Sequence, residues 1–408
     1  MHTSIEIISP QELSARHRAV LAHLRTVAPE ATGLLVFSRV DFYYLSASLV
    51  NGMLWLPHEG EPVLLARKGI ERCRLESPLT HMRLFKSYGE VPALCADCGS
   101  PLRGTVAAQM SALPWSLATL LQSRLSECHF VPGDQALMLA RAVKSPWELQ
   151  KMSIAGGRHH QALTQMLPCV LHAGLTEREI AHMSWRIFFE LGHSGMNRMG
   201  NYGEDVFLGH IAAGENGNYP SHFNGPLGLK GEHPAQPFMG YAGSVWQKHS
   251  PLALDIGFVL EGYHTDKTQL YWSGTPDSVP SLVRRAQDAC LSIQHRAAAA
   301  LRVGAIPSDI WHAAQKQAEE LGFTEGFMGL MGNKVHFLGH GIGLVIDEFP
   351  VLAPRFDAPL QAGMVLAIEP KIGLPGVGMV GVEDTFEVTD EGGKCLTGSP
   401  MDIICIGA

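Results

Sequence analysis

The chain lacks several features that would place it in a broad class at once. No apolar run approaches ~20 residues, so no segment is expected to span a membrane. The opening stretch, MHTSIEIISPQELSARHRAV, lacks the basic-then-apolar plan of a secretory signal, which makes the cytoplasm the expected compartment. There is no phosphate-cradling GxxxxGK[ST] and no basic run, and with a formal charge of −8 a general nucleic-acid-binding surface is not expected. Low-complexity tracts and tandem repeats are missing too. The eight cysteines are scattered, and only Cys95 and Cys98 form a CxxC. A structural zinc site would need a second such pair, so reduced thiols are the expectation.

What is present begins with length. At 408 residues the chain exceeds one ordinary domain, and two are expected, each able to bury its own core. Residues 12–28 have helical spacing. They are followed by the buried-strand pattern GLLVFSRV, by DFYYLSAS, and by MLWLPHEGEPVLLARK, two strand-like runs around a turn. Short strands then alternate with amphipathic runs such as ALPWSLATLLQSRL, which predicts an α/β domain over residues 1–143. Ser145 as N-cap, Pro146 as first helical residue and Glu148 as the third form a capping box that opens a second domain, 144–408. Helical stretches run to about Leu191 and again over Ser281–Glu320. Between them lie a Gly-, Asn- and His-rich segment and the run LALDIGFVLEGYHTDKTQLYW.

That run carries Asp255 and Asp266 among apolar, β-favouring residues and reads as two strands joined at Glu261-Gly262. Such a loop places Gly257 across from Asp266 and Thr268 across from Asp255. The two carboxylates then share a face as diagonal neighbours, with Cα atoms roughly 7–8 Å apart. Two anions in one half-buried space require a cation or a proton. Taken alone, the pair fits a solvent-facing edge hairpin as well as it fits a metal site.

Three further residues bear on that choice. His340 sits in LGHGIG, where flanking glycines let other groups approach the ring, although a lone histidine in such a turn is more often structural. Glu369 ends MVLAIEP and Glu383 sits in GMVGVEDTFEV. If these runs pair through the LPGVG turn, with Leu374 and Gly378 closing it, Glu369 falls directly opposite Glu383, where like charges are destabilising and burial is costly. Four carboxylates and one imidazole can be satisfied together by two divalent cations, with a bridging hydroxide as nucleophile. The set of five is far more specific than any member of it.

In this order, and in the contexts LDIG, TDKT, GHGIG, AIEP and VEDT, the five residues resemble those of the pita-bread metallopeptidases: methionine aminopeptidase, prolidase and aminopeptidase P, with creatinase as a metal-free relative. The resemblance spans essentially the whole chain, since the DFYYLSA segment is similar to the creatinase-type N-terminal domain. It implies an α+β pita-bread catalytic domain, whose curved antiparallel sheet carries the ligands on its concave face. It further implies two divalent metal ions (manganese, cobalt, zinc or iron), a short peptide substrate with Xaa-Pro bonds among the candidates, and a homodimer. By the same resemblance Asp255 would bind one metal, Asp266 and Glu383 would bridge both, and His340 and Glu369 would hold the other. Glu369 would also shuttle the proton of the attacking water. In AAGENGNYPSHF, His222 would contact the substrate or stabilise the tetrahedral intermediate; a plain loop histidine is the alternative. His210, His233 and His264 receive no role.

Three departures limit what is inherited. Asp347 stands where the family usually has a second histidine, Gly381 where it commonly has an arginine two residues before the last glutamate, and Gln269 where it often has another. The pocket becomes more negative, which suggests that Asp347 recognises a positively charged substrate group; a structural pairing with Arg355 is the alternative. Because these positions face substrate, a metal-dependent lyase, a non-peptide hydrolase, or a metal-binding homologue without turnover stand as alternatives to a peptidase.

Overall fold

The structure, a computed structural model, describes residues 6–201, 205–398 and 402–407. It divides into two compact units, Met1–Arg141 and Ala142–Ala408. Among the described residues no helix is long and apolar enough to cross a membrane.

The first unit is α/β. Its six-stranded sheet runs, edge to edge, His81–Leu84, Val63–Lys68, Asn51–Pro57, Gly33–Val36, Gly104–Ala108, Cys128–Pro132. The central strand Gly33–Val36 pairs antiparallel with Asn51–Pro57 and parallel with Gly104–Ala108. It is buried along its length, as an apolar run between two layers must be. The helix read at 12–28 spans Pro10–Val27, with Ser9 as its N-cap. The DFYYLSAS stretch is the helix Arg39–Ser46, capped by Ser38. In the CxxC, burial pushes the Cys95 thiol up to about 12, which disfavours the thiolate a metal or redox pair would need.

The second unit opens on the helix Pro146–Gln161. Ser145 accepts from the Glu148 amide and Glu148 reaches back to the Ser145 amide, the reciprocal box expected there. Two hairpins organise this unit. In the aspartate hairpin, Pro251–Leu260 and Tyr263–Ser273 pair with Asp255 opposite Thr268 and Gly257 opposite Asp266. The turn residues Glu261 and Gly262 both have positive φ, which a two-residue I′ turn requires. The sheet is completed by Gly209–Ala213 on one side and Ile404–Ile406 on the other. The latter strand runs parallel, so the sheet is not wholly antiparallel as expected.

In the glutamate hairpin, Lys371–Leu374 pairs with Gly378–Gly381, and Val365–Ile368 pairs with Asp384–Val388. Both ladders share one register, with Leu374 opposite Gly378 and Ile368 opposite Asp384. Glu369 and Glu383 therefore occupy matching places where the two ladders meet. The strand Gly339–Gly341 lies beside Val365–Ile368 and aligns His340 with Ala367. Helix Ser281–Ala300 contributes Val283, Ala286, Cys290 and Ile293 to the core that also holds Leu366, Ile368, Ile372 and Val380. The glutamate hairpin is thus held by apolar burial behind it.

Candidate metal centre

The two hairpins are stitched together by backbone and threonine hydrogen bonds. The Thr268 amide donates to the Glu383 carbonyl, the Asp266 amide donates to Thr385 Oγ1, and that hydroxyl donates to the Asp266 carbonyl. These bonds fix Asp266 and Glu383 against each other before any ion is considered. Thr268 Oγ1 then donates to Glu383 Oε2 at 2.9 Å.

Around this seam all five sequence-selected residues converge. Asp266, His340 and Glu383 offer ligand atoms within 4.8 Å of one another, and so do Asp255, Glu369 and Glu383. His340 Nδ1 lies 3.1 Å from the Gly341 carbonyl, which makes it the donor nitrogen and turns Nε2 toward the acids. That Nε2 is 3.7 Å from Glu369 Oε1 and 3.9 Å from Glu383 Oε1.

The second trio has an occupant that the sequence reading passed over. Lys371 Nζ lies 2.7 Å from Glu383 Oε2, 2.8 Å from Glu369 Oε2 and 3.2 Å from Asp255 Oδ2, and the side chain is wholly buried. The signal was present in the sequence. Lys371 stands two residues past Glu369, a spacing that extended chain puts on one side, and a lysine opening an apolar strand needs buried anions.

The electrostatics reflect a surplus of negative charge. Burial, and then the charge of Asp255, push the Asp266 carboxyl up to about 7. Burial followed by Asp266 raises Glu383 well above the carboxylate range. Burial works against ionised Asp255 too, but the Lys371 ammonium and His210 outweigh it and leave its pKa lowered. For Lys371, burial opposes the charge, yet the three carboxylates prevail and hold the ammonium protonated.

This arrangement tests the expected two cations. The first trio, two carboxylates and an imidazole in a carboxyl-rich pocket, has the donor chemistry of a site for manganese, cobalt, iron or zinc. At the second trio a cation held about 2.0–2.2 Å from its oxygens would collide with the ammonium already there. The two-metal expectation therefore does not fit the cage as Lys371 fills it.

The other selected residues lie around this centre. His222 is exposed, with its ring centroid 4.0 Å from that of Phe223. Phe223 packs at 4.8 Å on His210, which stands directly opposite Asp255 in the sheet. His210 received no role from the sequence, because its strand, GHIAA, has little β signal of its own. The Asp347 carboxyl accepts a hydrogen bond from the Gly200 amide, and burial raises its pKa. Among the described residues no ion pair joins Asp347 to Arg355. Gln269 lies on the face of its strand opposite Asp266 and donates to the Leu270 and Asp402 carbonyls, so it does not face the cage. Gly381 pairs with Lys371.

Comparison with known proteins bears on the family and the fold. The profile of metallopeptidase family M24 matches residues 150–390, and that of the creatinase/prolidase N-terminal domain matches residues 18–143. The chain is 27% identical to a "Probable dipeptidase PepE" of Mycobacterium tuberculosis, with 97% of each chain covered. It is 28% identical to an uncharacterized peptidase of Staphylococcus saprophyticus over 65% of each, so it spans just under two thirds of that relative. A Xaa-Pro dipeptidase of Pyrococcus furiosus is 31% identical over 38% of this chain and 41% of its own. Among solved structures, the Xaa-Pro dipeptidase from Bacillus anthracis superposes with a TM-score of 0.79 at 21% identity, covering 95% of this chain and 99% of that one. Dipeptidase PepE from Mycobacterium ulcerans gives 0.76 at 24% identity, covering 99% and 100%. At these identities the structural matches speak for the fold.

Proposed function

The chain belongs to metallopeptidase family M24, and from that premise we propose that it is a metal-dependent hydrolase of short peptides, with Xaa-Pro bonds among its candidate substrates. The observation that carries the reading is the convergence of five residues from distant parts of the chain, with ligand atoms within 4.8 Å in each trio. Relatives named as dipeptidases support the substrate class.

In this reading Asp266, His340 and Glu383 hold a divalent cation, with Glu369 beside them. Such an ion supplies Lewis acidity, polarising a carbonyl and making water a stronger nucleophile near neutral pH. The protein's own groups do the rest. Glu369, with Oε2 anchored on Lys371 and Oε1 turned toward His340, takes the proton of the attacking water and returns it to the leaving amine. His222 contacts the substrate from the exposed side, and Asp347 takes a positively charged group such as a free α-amine. A homodimer accompanies the reading and is tested by light scattering.

The test is a chelator-stripped sample restored with manganese, cobalt, zinc or iron and assayed on Xaa-Pro dipeptides, longer peptides with proline second, and Met-initiated peptides. Hydrolysis of at least one class that returns with metal and is abolished in Glu369→Gln supports the proposal. Failure on every class by a folded, metal-loaded protein overturns it.

A further inference from the structure

We propose that Lys371 is a built-in cation standing in for one of two metal ions, so that the cage takes a single divalent cation between Asp266, His340 and Glu383. The inference rests on the reading of the cage as a metal centre, and not on which bond it cleaves.

Three observations carry it. The first is position. Nζ touches Asp255, Glu369 and Glu383, the same three residues that form the second trio of candidate ligands, and none of the first trio except the shared Glu383. An ammonium with three donors and three carboxylate acceptors is satisfied there.

The second is confinement. Lys371 is fully buried, and its backbone pairs with Gly381. A Cβ at position 381 would lie 2.5 Å from the Pro370 carbonyl oxygen, 2.7 Å from Lys371 Cα and 3.0 Å from its Cγ, so glycine there lets the two backbones close tightly beside Lys371. Displacing the ammonium to admit an ion would cost it all three carboxylate partners at once.

The third is charge. Four carboxylates against one ammonium leave three negative charges, which one divalent ion reduces to one. Four carboxylates against two divalent ions leave none, so the two arrangements differ by a single charge. The lysine therefore supplies inside the cage one of the two positive charges that a second ion would bring.

Metal stoichiometry tests this independently of catalysis. The chelated full chain is equilibrated with excess manganese, freed of unbound ion, and measured by elemental analysis; Lys371→Ala is treated alongside after a check of its folding by circular dichroism. The expected result is one equivalent per chain for the parent and a two-fold rise to two for Lys371→Ala. Electron paramagnetic resonance of the manganese-loaded parent, which needs no variant, is expected to show isolated ions. Two equivalents, or an exchange-coupled pair, in the parent would overturn the proposal. No bound manganese in the parent overturns it too, and so does a folded Lys371→Ala that stays at one equivalent. Failure of every peptide assay leaves these readouts untouched, so the two readings fail separately.

Discussion

The two hairpins hold two buried lysines, on opposite faces, and the pair shows how one scaffold makes a structural contact on one side and a reactive centre on the other. Lys267 follows Asp266, and Asp384 follows Glu383, so each points away from the cage by the two-residue alternation of a strand. There they form an ion pair buried to about 1% on each side chain, completed by a hydrogen bond from Thr397 Oγ1 to Asp384 Oδ1. One ammonium meets one carboxylate and the account closes. On the cage face, Lys371 meets three carboxylates with Asp266 close by, and the account does not close. The surplus is what an added cation answers.

The comparison can be broken first on the cage side. Asp266→Asn or Glu383→Gln removes a ligand charge from the trio. Peptide hydrolysis should fall about 10³-fold or more, equivalent to ~4 kcal/mol of transition-state stabilisation, as read by kcat/KM on the best substrate. On the structural face, Lys267→Met leaves Asp384 buried without its partner. Stability should drop about 3–5 kcal/mol in urea unfolding, while Lys267→Met combined with Asp384→Leu recovers most of it. A full loss in the double variant would mean that the pair is more than a matched contact.

Behind the aspartate hairpin a second contrast concerns imidazoles. His340 is open to charge, because Glu369 and Asp266 raise its pKa against the opposing effect of burial. His193 is packed against Phe188 and Phe258, accepts a hydrogen bond from the Val259 amide, and is pushed by burial down to about 4. The unfolded chain protonates this ring below about pH 6.5, while the folded one resists until about pH 4. The unfolded state therefore binds the extra proton in that window. Stability is retained above it and lost as pH falls through it, by up to about 3 kcal/mol for His193. Urea midpoints between pH 7 and 4 measure this, and the slope should flatten in His193→Phe. The smallest effect is expected at Asp347. Asp347→Asn should weaken kcat/KM for substrates with a free α-amine by about tenfold or less, ~1.4 kcal/mol, and leave neutral ones unchanged. An equal effect on both would assign Asp347 to holding the Gly200 loop.

Much of this was legible before the structure. The Ser145 cap, the Glu261-Gly262 turn, the Asp255–Thr268 register and the shared register of the glutamate hairpin all follow from local rules, because a two-residue turn and strict alternation leave little freedom. The four acids and the one imidazole were found by residue type and context. Lys371 escaped because a search for ligands looks for anions and imidazoles, and a cation inside their cage is seen only when the face of each strand residue is followed past Pro370. His210 escaped for another reason. Gly209–Ala213 is a strand by virtue of its neighbour Pro251–Leu260, and its own five residues, mostly small, carry almost no β preference.

The most direct measurement is an anomalous difference map from crystals of the parent chain equilibrated with manganese. The account predicts one peak per chain among Asp266, His340 and Glu383, with Lys371 Nζ still against Asp255, Glu369 and Glu383. Two peaks with the lysine expelled, or no peak in the cage at all, would contradict it.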